Sequence, residues 1–251
     1  MTTVQRVTDP LAPLLDLPGV SAAVAETRTA VDALLTHRAL RRRSVDVSAE
    51  SSLRGAWISA VLSGADVTLE DVRSGAAASD PVVQGALRAQ SAIGALADTW
   101  TRAPRQALAR LHALAAADLV DDAEALGRPV PGAADRLDTL AAVLGATSAP
   151  AVVVAGIVHG ELLALDAFAP ASGVVARAAA RLTLIERGLD PKSLVVVEAG
   201  HRELGDEYAA ALDAYRTGTP EGVAQWLRHC ASAVVAGAQE TTAICEALVR
   251  G

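Results

Sequence analysis

The residues with the most obvious chemical potential lie close together in one part of the chain: His159, Asp166, Ser172, Gly173 and Arg177. His159 falls within the most apolar stretch, Ala149 to Leu165, and reads as a hydrogen-bonded core histidine. Asp166 ends that stretch and reads as a helix-end residue. Ser172 is a good cap for a following helix, with Gly173 allowing the turn. Arg177 then sits inside that helix, suited either to a structural salt bridge or to holding an anion. Phe168, the only phenylalanine, reads as a core anchor. Elsewhere Asp118, Asp121, Asp122 and Glu124 have a carboxylate density that would suit a metal, but they fall in an inter-helix loop where solvated acids are usual. His112, His201 and His229 are scattered and suggest no shared site. No Cys/His spacing makes a zinc site, and there is no dinucleotide fingerprint, phosphate-binding P-loop or nucleophile elbow.

The elements that must position these residues are helical. Alanine, the strongest helix former, is abundant. Val24, Val31, Leu34 and Leu35 recur at helical spacing over residues 20 to 40. Ser48 to Leu62 is a second helix stopped by Gly64. Thr68 and Asp71 form a capping box in which Asp replaces the usual Glu. Asp80-Pro81 and Pro104 open two further helices. Asp121 to Gly132 is a polar loop, Ala133 to Leu144 a helix, and Pro150 starts the apolar helix ending near Leu165. After a short loop, Gly173 leads into a helix ending at Gly188. Lys192 to Glu198 is β-prone but has no partner strand, so it reads as an extended connection. Asp206 to Arg216 and the segment from Thr219 to the C-terminus complete an all-α chain. Residues 1–19, with three prolines and little periodicity, read as an irregular leading segment, and 20–251 as one helical domain.

Composition narrows the function classes. At 51% hydrophobic and 20% charged, the chain can bury an ordinary core. A net charge of −7 disfavours general nucleic-acid binding, which needs a basic surface. The one basic run, His37, Arg38, Arg41, Arg42 and Arg43, reads as a solvated helix end. No apolar run is long enough to cross a membrane, and the first residues lack a signal-peptide pattern. Cys230 and Cys245 fall in one helix about 22 Å apart, beyond disulfide reach. Reduced cysteines fit a cytoplasmic setting.

The order of these pieces resembles the Fic domain family. That family carries H-P-F-x-[D/E]-G-N-G-R-x-x-R across a helix–loop–helix, and this chain reads Asp166-Ala167-Phe168-Ala169-Pro170-Ala171-Ser172-Gly173-Val174-Val175-Ala176-Arg177. Phe168, Gly173 and Arg177 match. His159 stands where the family often has a histidine seven residues ahead of its catalytic one, and Arg187 to Pro191 fits the family's ending. Leu108 to Ala115 resembles the helix before the family's substrate-docking flap. Ser59 to Gly64 resembles its autoinhibitory S-x-x-x-E-G helix, and Asp206 through Arg228 its terminal helices. The likeness covers roughly residues 20 to 248, with 20–100 as N-terminal helices and 101–251 as the Fic-like core.

The resemblance implies a helical fold that moves AMP or a related phosphate-bearing group onto protein hydroxyls, and it also shows what is missing. Asp166 replaces the catalytic base, and an ordinary Asp pKa near 3.9 suits that task poorly. Pro170 replaces the acidic metal ligand, Val174 the first phosphate-holding arginine, and Ala171-Ser172 the first two of Gly-Asn-Gly. Ser63 replaces the inhibitory Glu that would pair with Arg177. The flap shrinks to Gly127-Arg128-Pro129-Val130-Pro131-Gly132, whose prolines make strand-like docking of a peptide poor. The losses occur together, which points to a pseudoenzyme with no catalytic residue, no metal and no cofactor. It would act by binding a protein or a small anionic ligand such as a residual nucleotide at Ser172, Gly173 and Arg177. A divergent transferase using Asp166 needs Asp166 and Arg177 in one pocket. A homo-oligomeric structural role needs an exposed apolar helix face.

Overall fold

The structure, a computed structural model, describes residues 9–250; residues 1–8 of the leading segment and residue 251 lie outside the described residues. Among the described residues it has eleven α-helices, two short 3-10 helices and no strand. The helices are α1 (Val20–Leu35), α2 (Leu40–Val61), α3 (Leu69–Ser74), α4 (Pro81–Arg102), α5 (Pro104–Ala115), α6 (Ala134–Ala146), α7 (Ala151–Ala164), α8 (Ser172–Glu186), α9 (Val197–Glu203), α10 (Asp206–Arg216) and α11 (Pro220–Arg250). The capping signals act as their chemistry requires. Thr68 and Asp71 form the reciprocal capping box, and the Asp80 carboxylate accepts from the amides of Val82 and Val83 at 2.9 and 3.0 Å.

Several boundaries differ from the sequence expectation. Residues 12–16 of the leading segment wind into a 3-10 helix. The first helix stops at Leu35 instead of reaching residue 40. The second begins at Leu40, not Ser48, and kinks at Arg43. The Lys192–Glu198 connection is extended only as far as Val196 and then turns into α9. Its buried backbone is satisfied without a partner strand. The Asp190 carboxylate accepts from Leu194 and Val195 amides at 2.9 and 2.8 Å, Thr241 bonds to Leu194 and Val196, and Arg181 donates to the Val195 carbonyl. Side chains thus do what a neighbouring strand would otherwise do.

α7 and α8 form the middle of the molecule and are covered by α11, α2, α4 and α10. One buried cluster joins α1, α7, α9 and α11; the other joins α4, α5, α6 and α8. Glycines allow the closest crossings: a Cβ on Gly200 would sit 2.0 Å from the Ala233 carbonyl oxygen, so α9 meets α11 backbone to backbone. The polar loop, residues 121–132, holds one 3-10 turn at Ala123–Ala125 and no hairpin. The Val130 amide donates to the Ala167 carbonyl at 2.9 Å, fastening this loop to the segment after α7. Val45 and Val249 are the large apolar side chains exposed among the described residues.

Candidate functional site

Arg177 projects from α8 toward the C-terminal end of α2. Ser59 and Ser63 are four residues apart, so both face one side of α2 and its following turn. Nε of Arg177 donates to Ser59 Oγ at 2.9 Å, and Nη2 donates to the Ser59 carbonyl at 2.8 Å and to Ser63 Oγ at 2.6 Å. That uses three of the five guanidinium N–H groups. The two on Nη1 make no bond to the α2 serines, and the neutral Tyr208 hydroxyl is the polar group that the guanidinium meets on that side. Among the described residues no carboxylate pairs with Arg177, although the side chain is only 4% exposed. One turn on, Arg181 repeats the register: it lies opposite Gly55, where a Cβ would come within 3.2 Å of it, and pairs with buried Glu198 at 3.6 Å. α8 therefore buries two arginines along one face, one compensated by a carboxylate and one not.

The uncompensated arginine borders a cavity of about 370 Å³. Leu62 and Ser63 from the end of α2, Leu163 and Asp166 from the end of α7, Ser172 and Gly173 from the start of α8, and Tyr208 and Leu212 from α10 line it, with Pro170 at the connecting loop. Asp166 adopts a left-handed backbone, φ 46°, that ends α7, and it is exposed at the rim. Phe168 is buried, tilted against the ring of His112. Its amide donates to Ser172 Oγ at 2.9 Å. Ser172 is thus the first residue of α8 rather than its cap, and its hydroxyl ties down the loop behind it. Gly173 has no room for a side chain without crowding: a Cβ there would lie 3.1 Å from Arg177 and 3.2 Å from Ser63. Gly64 follows with φ 99°, ending the α2 turn. The sequence-selected residues Asp166, Ser172, Gly173, Arg177 and Ser63 share this cavity, Ser59 lies behind it, and Phe168 supports it.

His159 lies one turn before Leu163 on the same face of α7, deeper than the cavity wall. Its Nε2 shares a 2.7 Å hydrogen bond with the Tyr208 hydroxyl. His201 stacks on Tyr208, with ring centroids 4.4 Å apart, and its Nδ1 shares a 3.0 Å hydrogen bond with Nε2 of His229. Trp226 closes the group, and its indole N–H donates to the Gly156 carbonyl at 2.7 Å. Of the histidines that look scattered in sequence, His112 lies apart, beside Phe168, and accepts from the Gly127 amide, whereas His201 and His229 join His159 in one buried cluster behind the cavity. Linear spacing carries no trace of it, because three helices contribute. Burial pushes His159 and His201 well below the ordinary histidine value, with the Arg177 charge adding to the effect. Burial likewise takes His229 down to about 4. Burial raises Tyr208, which Arg177 partly opposes. The cluster is neutral, and it holds Tyr208 upright against the cavity. Tyr208 and Leu212, an i,i+4 pair on α10, complete the wall from outside the 166–177 segment, as do Leu62, Leu163 and Ala209.

The donor set does not suit a metal. Among the described residues no group of three or more His, Cys, Asp or Glu side chains is placed to hold one. Asp166 is the one carboxylate lining the cavity, and Pro170 has no ligand atom. Three of the four loop acids are otherwise engaged, Asp118 with Arg88, Glu124 with Arg128 and Asp122 as a turn cap, and Asp121 is exposed.

This helical arrangement has a counterpart of known structure. The chain is similar to a Fic family protein from Desulfovibrio desulfuricans G20, with a TM-score of 0.70 and 22% identity over 90% of this chain and 75% of that one. The chain therefore has a Fic-like helical fold. No protein-family model and no curated protein matches it. No helix among the described residues is long and apolar enough to cross a membrane.

Proposed function

We propose that this chain is a degenerate Fic-fold protein that binds an anionic ligand at Arg177 without transferring any group, and that the bound form acts on a protein partner in the cytoplasm. The observation that carries this reading is Arg177 itself. A buried guanidinium without a carboxylate is costly to maintain, and this one borders a cavity with its Nη1 edge facing only the neutral Tyr208 hydroxyl. Anion binding repays that cost. The free amides at the start of α8 add the favourable end of a helix dipole. Transfer chemistry lacks support because Asp166 stands at the base position, Pro170 at the metal position, and Val174, buried among apolar residues, at the first arginine.

One observation favours a second reading, a divergent transferase: Asp166 and Arg177 do line the same cavity. A single assay separates the two. The protein is incubated with ATP labelled on its α-phosphate, with magnesium, and with a mixture of acceptor proteins. Our reading predicts no label on any protein and none gained in Asp166→His, since restoring a base restores neither metal nor phosphate grip. Label transfer that disappears in Asp166→Asn would establish the transferase instead.

A further inference from the structure

We infer that the ligand of this cavity is a small amphiphilic monoanion, a carboxylate with a compact apolar body, and not a nucleoside polyphosphate. The inference rests on the anion-binding reading above and concerns what the walls select. The charge inventory comes first. The cavity presents one cation, Arg177, at its buried end, and one acid, Asp166, at its rim. A ligand with a single negative charge satisfies the guanidinium and keeps its other end neutral near Asp166. A polyphosphate would bring several negative charges to one arginine and set some of them against the rim carboxylate, where like charges repel.

The walls point the same way. Leu62, Leu163, Leu212 and Pro170 give the middle of the cavity an apolar surface. About 370 Å³ lies near the lower end of the usual range for small-molecule sites, about 300–1,000 Å³. Arg177 also offers suitable geometry. With Nε and Nη2 turned to the α2 serines, Nη1 is the edge left to meet a ligand oxygen. Ser63 Oγ, the Tyr208 hydroxyl and the first amides of α8 are the remaining polar groups near it. That set matches one carboxylate head group.

The test is a thermal-shift and calorimetric titration of the whole protein with straight-chain carboxylates from acetate to octanoate, beside inorganic pyrophosphate and ATP with magnesium. Each methylene that enters the apolar middle should tighten binding about fourfold, from about 0.8 kcal/mol per buried CH2, until the chain outgrows the cavity. Leu212→Glu, a change on the partly exposed face of α10, should abolish the chain-length dependence while the protein still folds. If ATP or pyrophosphate binds more tightly than every carboxylate, this inference is overturned while the anion-binding reading stands. If carboxylates bind with no dependence on chain length, or equally well to Leu212→Glu, the assignment of the apolar walls is wrong. If no anion of any kind binds, the anion-binding reading fails with it.

Discussion

Replacing Ser63 by Glu puts a carboxylate where Arg177 now meets only a neutral hydroxyl. The existing contact is 2.6 Å from Nη2 to Oγ, and Ser63 is exposed while Arg177 is buried. A charge-assisted Arg–carboxylate bond is roughly twice as strong as its neutral counterpart, and bonds to charged groups contribute about 1.5–3 kcal/mol. Two effects reduce the gain. Ser63 follows the C-terminal end of α2, where a negative charge costs about 0.3–1 kcal/mol, and solvent screens the exposed side of the pair. The net stabilisation expected for Ser63→Glu is about 1 kcal/mol, or a rise of about 2–4 °C in Tm for a chain of this size. The rise should shrink in high salt. The same carboxylate competes with any ligand for Nη1 and Nη2, so small-anion affinity should fall at least about tenfold. Thermal unfolding at two salt concentrations, with anion titrations, reads both effects. A Ser63→Glu protein that is less stable than wild type, or one that binds anions unchanged, would refute the claim that Arg177 is an uncompensated cation facing the cavity.

Two further predictions concern the scaffold. Because His159, His201 and His229 have folded-state pKa values below the ordinary 6.5, the unfolded chain takes up protons that the folded chain refuses. Stability should therefore be fully present above about pH 6.5 and fall as pH drops, by up to about 4 kcal/mol per pH unit for three such groups. Urea unfolding at pH 7.5 and 5.5 measures this, and a midpoint that does not fall on acidification would contradict the buried neutral cluster. Gly200→Ala should destabilise by about 1–3 kcal/mol or more, because its Cβ meets the Ala233 backbone, whereas Gly94→Ala, open to solvent within α4, should stabilise by about 0.8–1 kcal/mol. Equal effects at the two sites would show that α9 and α11 are not in backbone contact.

The fold class and the order of helices were legible because alanine content, capping residues and apolar spacing all point one way. Thr68, Asp71 and Asp80 mark helix starts by local chemistry alone, and the structure puts their side chains where that chemistry requires. The cavity was legible in part: Asp166, Ser172, Gly173, Arg177 and Ser63 stand at motif positions. What sequence spacing cannot reveal is cross-helix partnership. The pairing of Arg177 with Ser59 depends on the register of α8 against α2. The histidine cluster depends on α7, α9 and α11 converging, and so its members look unrelated in the chain. The segment before α9 is β-prone yet reads as an extended connection, and the sequence does not show that its backbone is satisfied by the side chains of Asp190, Thr241 and Arg181. Ser172, assigned as a cap from its type and place, instead supports the Phe168 loop, a difference of one residue in where α8 begins.

The central claim, that Arg177 holds an anion, is tested most directly by side-chain NMR of arginine-labelled protein titrated with hexanoate, with the Arg177 Nε–H resonance assigned by its loss in Arg177→Lys. The account predicts a saturable shift of the Arg177 resonance that is absent in Ser63→Glu. An unmoved Arg177 resonance, or shifts confined to the exposed Arg38, Arg41 and Arg42, would contradict it.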